Sequence, residues 1–206
     1  AEVSADRDPA RLHVPVLLNE CLDMLAPALD APGAILIDAT LGMGGHSEGA
    51  LTRFPHLTVF GIDRDPAAIE LASQRLARFG SRFRAFHTTY DKMAEVADEA
   101  PDGMVDGILM DLGVSSLQLD EQERGFSYSH DAPLDMRMNP TTGVSAAQLL
   151  ASASKEEITR ILRVYGEEKF ASKIATRIVH DRESEPLTRT SQLAQIVRDS
   201  IPAAAR

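Results

Sequence analysis

Three short apolar segments of the chain each end at an aspartate, and this pattern limits the possible folds more than any other feature. The pairs are residues 34–37 with Asp38, residues 57–62 with Asp63, and residues 105–110 with Asp111. A fourth apolar segment covers residues 82–87. Between these segments the apolar residues recur at helical spacing. Nearly continuous apolar strands between helices are typical of a parallel sheet with both faces covered. The sequence therefore predicts an α/β fold with three aspartates at strand ends.

A glycine-rich run from Asp38 to His46 links the first predicted strand to the next helix. Glycines permit sharp turns and let a ligand approach the backbone closely. Asp63 ends the next strand 21 residues after Gly42, where a carboxylate can accept hydrogen bonds from ribose hydroxyls. Together these features predict a nucleotide-type cofactor. The acid before the loop and the missing third spaced glycine favour S-adenosylmethionine, while a nicotinamide cofactor stays open.

Two helices are predicted around the first strands. One runs through residues 17–28 and ends at residues 30–33. The other has Asp65 as its cap, Pro66 at its first position and Gly80 as its stop.

The strand pattern ends after Asp111. Residues 120–143 are rich in Gly, Pro, Asp and Ser, which predicts a loop, and residues 144–206 show helical spacing only, with a capping box at residues 154–157. The predicted organisation is a cofactor-binding α/β core over residues 1–119, a connecting loop over residues 120–143, and a helical domain over residues 144–206.

Charge is distributed unevenly along the chain, whose net charge is −10. Residues 151–206 hold 10 Lys and Arg against 8 Asp and Glu, so this segment is the better candidate for facing a polyanion. Lys169, Lys173 and Arg177 are spaced to form one row on a helix and are predicted to contact phosphates. The alternative is that they form the solvated face of a helix that buries its other side.

Other features of the sequence narrow the setting. No apolar run is long enough to span a bilayer, and Cys21 is the only cysteine, so neither an intrachain disulfide nor a Cys/His metal site is expected. A cytoplasmic location is expected. Residues 124–139 mix aromatic, acidic and basic side chains, which suits stacking and hydrogen bonding of a base, or else packing as an interdomain linker.

Five motifs occur in order along the chain: His13 to Glu20, Asp38 to His46, Met110 to Ser116, Arg124 to Ser127, and Pro133 to Met138. Together they resemble the RsmH (MraW) methyltransferases. The resemblance implies methylation, with S-adenosylmethionine, of the exocyclic N4 amine of a decoding-region cytosine in 16S ribosomal RNA of the small subunit. It also implies a class I Rossmann-like parallel sheet, truncated at its C-terminal end because the family continues beyond residue 206. The inserted all-helical domain, residues 144–206, is then expected to recognise the substrate, and residues 120–143 are expected to form a connecting substrate loop.

The resemblance carries a set of cofactor residues with it. Asp63 is expected at the ribose, and Tyr90, where the family usually has Phe, near the adenine. The full set is Gly44, Gly45, His46, Asp63, Tyr90, Asp111 and Gln118. On the substrate side, Arg124 and Arg137 are predicted to bind phosphate, and Asn139, in place of a common Asp, to lie near the substrate.

The expected chemistry needs a proton acceptor, because the lone pair of the cytosine amine is delocalised into the ring. Carboxylates commonly accept hydrogen bonds from this amine. Asp111 is the first candidate and Asp135 the second. The residues after Asp111 are Leu-Gly-Val rather than the Pro-Pro-aromatic motif of other amine methyltransferases, so analogy does not fix its role. A nicotinamide-dependent oxidoreductase and a non-catalytic ribosome-assembly protein are the alternatives.

Overall fold

The computed structural model describes residues 15–115, 118–119 and 121–202. The chain divides into two compact units, residues 1–117 and residues 118–206. The segment 120–143, predicted as a connecting loop, belongs to the second unit. None of the helices within the described residues is long and apolar enough to cross a membrane.

The first unit contains a four-stranded sheet in the order β3-β2-β1-β4, in which all neighbours are parallel. The strands are β1 (Ile35–Asp38), β2 (Thr58–Asp63), β3 (Phe83–His87) and β4 (Gly107–Leu109). This architecture confirms the predicted α/β class. β4 is shorter than the predicted segment because β1 is its partner and ends at Asp38, opposite Leu109.

Helices lie between the strands. They are α1 (Leu18–Leu29), α2 (Gly45–Arg53), α3 (Pro66–Leu76) and α4 (Met93–Ala97). Asp65 caps α3 by accepting a hydrogen bond from Ala67 N at 3.0 Å, and Pro66 takes the first position, as predicted. However, α3 ends at Leu76 rather than at Gly80. The chain continues as 3-10 turns over Ala77–Arg82, and Gly80 leaves helical geometry with a φ of 55°.

Alternate strand residues enter two separate hydrophobic clusters. Leu36 and Val59 lie in one cluster with residues from α1, α2 and α3. Ile37 and Phe60 lie in another with Val96 of α4. Because successive side chains of a strand point to opposite faces, both faces of the sheet are covered.

Within the described residues, the second unit contains helices and no strand. Its helices are α5 (Ala146–Ser152), α6 (Lys155–Val164), α7 (Ala171–Asp181) and α8 (Thr190–Ser200). Ile158, Ile174 and Ile178 form the centre of its core together with Leu134 from the preceding loop. The loop is therefore folded into this unit rather than suspended outside it.

The helix starts of this unit differ from the sequence-based prediction. At α6, Glu157 N donates to Ser154 Oγ at 3.1 Å, but the reciprocal bond of the predicted capping box is not found among the described residues. The complete capping box lies at α5, where Ser145 and Gln148 exchange both bonds. The prediction is therefore only half right at the first site, and it missed the second, where Ser145 and Gln148 have the same S-x-x-E/Q spacing.

Candidate functional site

The glycine-rich loop connects β1 to α2 at the carboxyl end of the sheet. Gly42 and Gly44 both have positive φ, 51° and 78°, which favours glycine. A Cβ on Gly44 would lie 3.0 Å from Leu76 Cδ1, so the loop packs tightly against α3. Among the described residues, a Cβ on Gly42 would meet only Thr40 O, at 4.0 Å, so no other described residue closes that side of the loop.

Asp63, at the end of β2, holds this loop with both carboxylate oxygens. Oδ2 accepts a hydrogen bond from Gly42 N at 2.8 Å, and Oδ1 accepts one from Asp65 N at 2.8 Å. Burial raises the pKa of Asp63, against the opposing effect of these backbone hydrogen bonds. Each oxygen has a second lone pair, so the carboxylate retains the capacity to accept a further hydrogen bond.

Asp38, at the end of β1, is an internal support of the same loop. Its side chain is buried, and Oδ2 accepts a hydrogen bond from Ser47 Oγ at 2.7 Å, while Oδ1 accepts one from Thr40 N at 3.3 Å. Burial raises the pKa of this carboxyl group. Asp38 thus ties the start of the loop to the first turn of α2.

Gly45 and His46 face the segment that precedes α1. His46 Nε2 lies 2.9 Å from Val16 O, and the imidazole is buried. A Cβ on Gly45 would lie 2.5 Å from Pro15 Cγ, so only glycine fits this approach. His13, the first residue of the matching motif, lies outside the described residues.

Asp111 follows β4 and presents an exposed carboxylate. Its backbone N donates to Thr40 Oγ1 at 2.7 Å, which fixes Asp111 beside the loop after β1. Its carboxylate makes no hydrogen bond within the described part of the chain, and the residue is exposed. Ser116, the end of this motif, lies outside the described residues.

Tyr90 lies beyond the end of β3, on the side of Asp63. It begins the 3-10 turn Tyr90–Lys92 and is 47% exposed. Thr88 N donates to Asp63 O at 3.1 Å, which keeps this turn next to the end of β2. The structure therefore brings Asp63, Tyr90 and Asp111 to one edge of the sheet together with the glycine loop.

Asp135 and Arg137 form a closed pair in the loop of the second unit. Arg137 Nε donates to Asp135 Oδ1 at 2.9 Å, and another guanidinium nitrogen donates to Oδ2 at 2.7 Å. The hydrogen bonds from Arg137 lower the pKa of Asp135. Both side chains predicted for substrate chemistry are therefore engaged with each other.

Arg124 and Asn139 also make contacts inside this loop. One terminal nitrogen of Arg124 donates to Met138 O at 2.7 Å and the other to Glu121 Oε2 at 3.1 Å, and the side chain is only 12% exposed. Asn139 Oδ1 accepts hydrogen bonds from both N and Oγ1 of Thr141. Arg124 thus connects Glu121, near the start of the loop, with Met138, near its end.

The remaining predicted residues lie in the second unit. Gln118 is buried there. Lys173 and Arg177 are exposed on α7, but Lys169 lies in the turn before this helix, so the predicted row is only partly helical. Arg177 Nε donates to Asp181 Oδ2 at 2.6 Å, which neutralises one end of the row.

Comparison with known proteins agrees with the motifs. A family model described as the MraW methylase family matches residues 10–206. The chain belongs to the MraW methylase family. A ribosomal RNA small subunit methyltransferase H from Beutenbergia cavernae is 59% identical over 201 residues, which cover 98% of this chain and 60% of that protein. Its counterpart in Kocuria rhizophila is 57% identical over 194 residues, which cover 94% and 59%.

This member of the MraW methylase family spans about 60% of the length of these two relatives. A solved rRNA methylase from Streptococcus thermophilus is 22% identical, and the match covers 54% of this chain and 64% of that one with a TM-score of 0.40, a partial likeness.

Two residues that support the site were missed by sequence reasoning. Thr40 and Ser47 stand just inside the glycine-rich run and just after it, and both bond to groups at strand ends. The pattern that would have indicated them is a hydroxyl residue shortly after a strand-ending aspartate, together with another at the start of the next helix. Gln118 was predicted only through the family resemblance.

Proposed function

We propose that this member of the MraW methylase family binds S-adenosylmethionine through residues 1–117 and methylates the N4 amine of a decoding-region cytosine in 16S ribosomal RNA. The observation that carries the proposal is the glycine loop after β1, fastened by Asp63 and lying beside the exposed carboxylate of Asp111. Family membership supports methyl transfer, and the names of the relatives support the small ribosomal subunit as the source of the substrate. A ribosomal substrate would place the activity in the cytoplasm.

The residues at this edge fit S-adenosylmethionine. The side of Gly42 that no other described residue closes leaves room for a ligand against the backbone, and Asp63 has lone pairs for ribose hydroxyls. Tyr90 offers a half-exposed ring for the adenine, and Gly44, Gly45 and His46 would line the methionine and ribose part. When bound, the cofactor supplies an electrophilic methyl group. The protein's main contribution is then to hold the cytosine amine in line with that group.

Asp111 is the better of the two candidate proton acceptors. The cytosine amine gains nucleophilic character when an acceptor hydrogen-bonds to its N–H and takes up the developing positive charge. The Asp111 carboxylate is exposed and has no partner among the described residues, so it can do this. The Asp135 carboxylate is already bonded to Arg137, and its lowered pKa makes it a weaker base. We assign Asp135 the positioning of Arg137.

We further propose that residues 118–206 recognise the RNA. Lys169 and Lys173 are exposed and suited to phosphate contacts. Arg124 donates hydrogen bonds to loop carbonyls, and Arg137 donates to Asp135. We therefore propose that both arginines hold the conformation of the loop that carries Asn139. Gln118 is assigned to the cofactor only through the family resemblance.

The test is methyl transfer followed by identification of the product. Small ribosomal subunits and naked 16S ribosomal RNA are incubated with the protein and a labelled donor, and the RNA is digested to nucleosides for mass spectrometry. The proposal predicts N4-methylcytidine, with a loss of about a hundredfold or more in turnover for Asp111→Asn but not in donor affinity. Glu95→Gln, an exposed carboxyl change on α4, is the matched control. Methylation at another atom, or full turnover in Asp111→Asn, would overturn the assignment.

A further inference from the structure

The helical unit contains a basic groove beside α6 and α7. Lys155, Arg160 and Arg163 of α6 line it, and Ser172 of α7 closes the other side. Lys155 and Arg163 are eight residues apart on the helix, which places them on one face about two turns from each other. Glu156 also lines the groove, so its three cations outnumber its one acid.

The cations of the groove have no acidic partner among the described residues, unlike Arg177 and Arg189. Arg177 pairs with Asp181, and Arg189 pairs with Asp131 at 2.9 Å. Within residues 121–202, Lys155, Arg160 and Arg163 make no such ion pair. Their charge is therefore available to an anionic partner. The groove is therefore a basic surface that the sequence did not indicate, in addition to Lys169 and Lys173.

An exposed aromatic ring stands beside the groove. Tyr165 caps the end of α6 and is 72% exposed. The Arg160 guanidinium lies 5.7 Å from the centre of its ring, and a guanidinium nitrogen reaches the Tyr165 hydroxyl at 3.4 Å. A tyrosine braced by an arginine offers a flat face on which an unpaired base can stack.

We propose that this groove is a surface for single-stranded RNA, in which Lys155, Arg160 and Arg163 contact phosphates and Tyr165 stacks on a base. The proposal rests on the proposed function for the identity of the partner. Cations alone would serve an acidic peptide equally well, but the exposed ring beside them favours a chain of unstacked bases. Because the whole chain carries a net charge of −10, non-specific attraction of RNA to its surface is disfavoured, and RNA binding needs a local basic surface such as this groove.

The experiment measures binding of the whole chain to a fluorescently labelled single-stranded RNA of about 20 nucleotides. The triple variant K155Q/R160Q/R163Q removes the three cations. The matched control is Arg177→Gln, which removes an exposed cation that Asp181 already neutralises. We expect the triple variant to bind at least about tenfold more weakly and to lower the slope of log affinity against log salt by about 2, or about 0.7 for each phosphate that is no longer neutralised. Arg177→Gln should change neither.

A second pair of variants isolates stacking from charge. Tyr165→Phe keeps the ring beside Arg160, and we expect RNA affinity close to that of the wild type. Tyr165→Ala removes the ring, and we expect a loss of about fivefold or more with an unchanged salt slope. Thermal melting by circular dichroism identifies any variant that does not fold. Since these side chains are exposed, we expect melting close to that of the wild type.

Several results would overturn the inference. One is a triple variant that binds RNA with the affinity of the wild type. Another is a loss of RNA affinity in Arg177→Gln equal to that of the triple variant. A third is a triple variant that binds an acidic peptide more weakly but RNA with unchanged affinity. Methyl transfer separates these from failure of the proposed function. A wild type that methylates small subunits, beside a triple variant with unchanged RNA binding, overturns only the groove. A wild type that neither binds RNA nor transfers a methyl group overturns both.

Discussion

At the scale of single residues, Asp63 shows why a carboxylate and an amide are not equivalent in this site. Both of its oxygens accept backbone N–H groups, from Gly42 and from Asp65. An asparagine offers one acceptor and would turn its own N–H groups toward one of these donors. We expect Asp63→Asn to lower the free energy of unfolding of this unit by about 1–3 kcal/mol, the cost of a buried donor left without an acceptor.

Urea unfolding measures this effect, and Asp91→Asn, at an exposed position after Tyr90, is the control. A variant as stable as the wild type would mean that the two hydrogen bonds do not hold the loop. The same variant should also weaken S-adenosylmethionine binding, since its loop is displaced from the sheet edge.

Asp38 provides a pH-dependent test. Because burial raises the pKa of Asp38 above its ordinary value of 3.8, the native state binds this proton more tightly than the unfolded state. Its contribution to stability is then full below that value and is lost as pH rises through the folded-state pKa. We therefore expect the stability of the wild type relative to Asp38→Asn to fall as pH is raised from 3.8 toward neutral, measured by urea unfolding at several pH values.

Asp135 is the matched comparison because its pKa is lowered by Arg137. The wild type should gain stability over Asp135→Asn above the ordinary pKa of 3.8 and lose this gain as pH falls through the folded-state value. As pH rises, the stability difference for Asp38 should fall and that for Asp135 should grow. If both differences changed in the same direction, the physical causes assigned to the two carboxyl groups would be wrong.

At the scale of elements, the loop before α5 depends on Arg124. Its guanidinium donates to Met138 O and to Glu121, and its side chain is largely buried. Glutamine is too short to make both contacts. We expect Arg124→Gln to lower the free energy of unfolding of residues 118–206 by about 2–3 kcal/mol in urea, since hydrogen bonds from a charged group are removed.

Lys173→Gln is the control for Arg124→Gln, because Lys173 is exposed on α7 and should change stability by no more than about 0.5 kcal/mol. An Arg124→Gln variant of normal stability with weakened RNA binding would instead support the sequence-based prediction that Arg124 binds phosphate.

Across the molecule as a whole, features that depend on neighbouring residues could be predicted from the sequence, whereas contacts between residues far apart in the chain could not. The strands and the start of α3 follow from adjacent residues, namely apolar runs, Asp65 and Pro66. The bonds of Asp63 to Gly42 and of Asp111 to Thr40 join residues far apart in sequence, and nothing at either position reveals its partner. The pairing of Arg177 with Asp181 lies within one helix. The four-residue spacing of these opposite charges was visible in the sequence and indicates that the basic row is partly neutralised.

We propose that the glycine loop and Asp63 bind S-adenosylmethionine. Calorimetric titration of the chain with S-adenosylmethionine and, separately, with NAD and NADH distinguishes the two classes of cofactor. We expect 1:1 binding of S-adenosylmethionine and no binding of either nicotinamide cofactor. We also expect Asp63→Ala to weaken S-adenosylmethionine binding by about 1.5–3 kcal/mol, as for the loss of a hydrogen bond to a charged group. Binding of NADH in place of S-adenosylmethionine, or an Asp63→Ala variant with unchanged affinity, would show that this cofactor assignment is wrong.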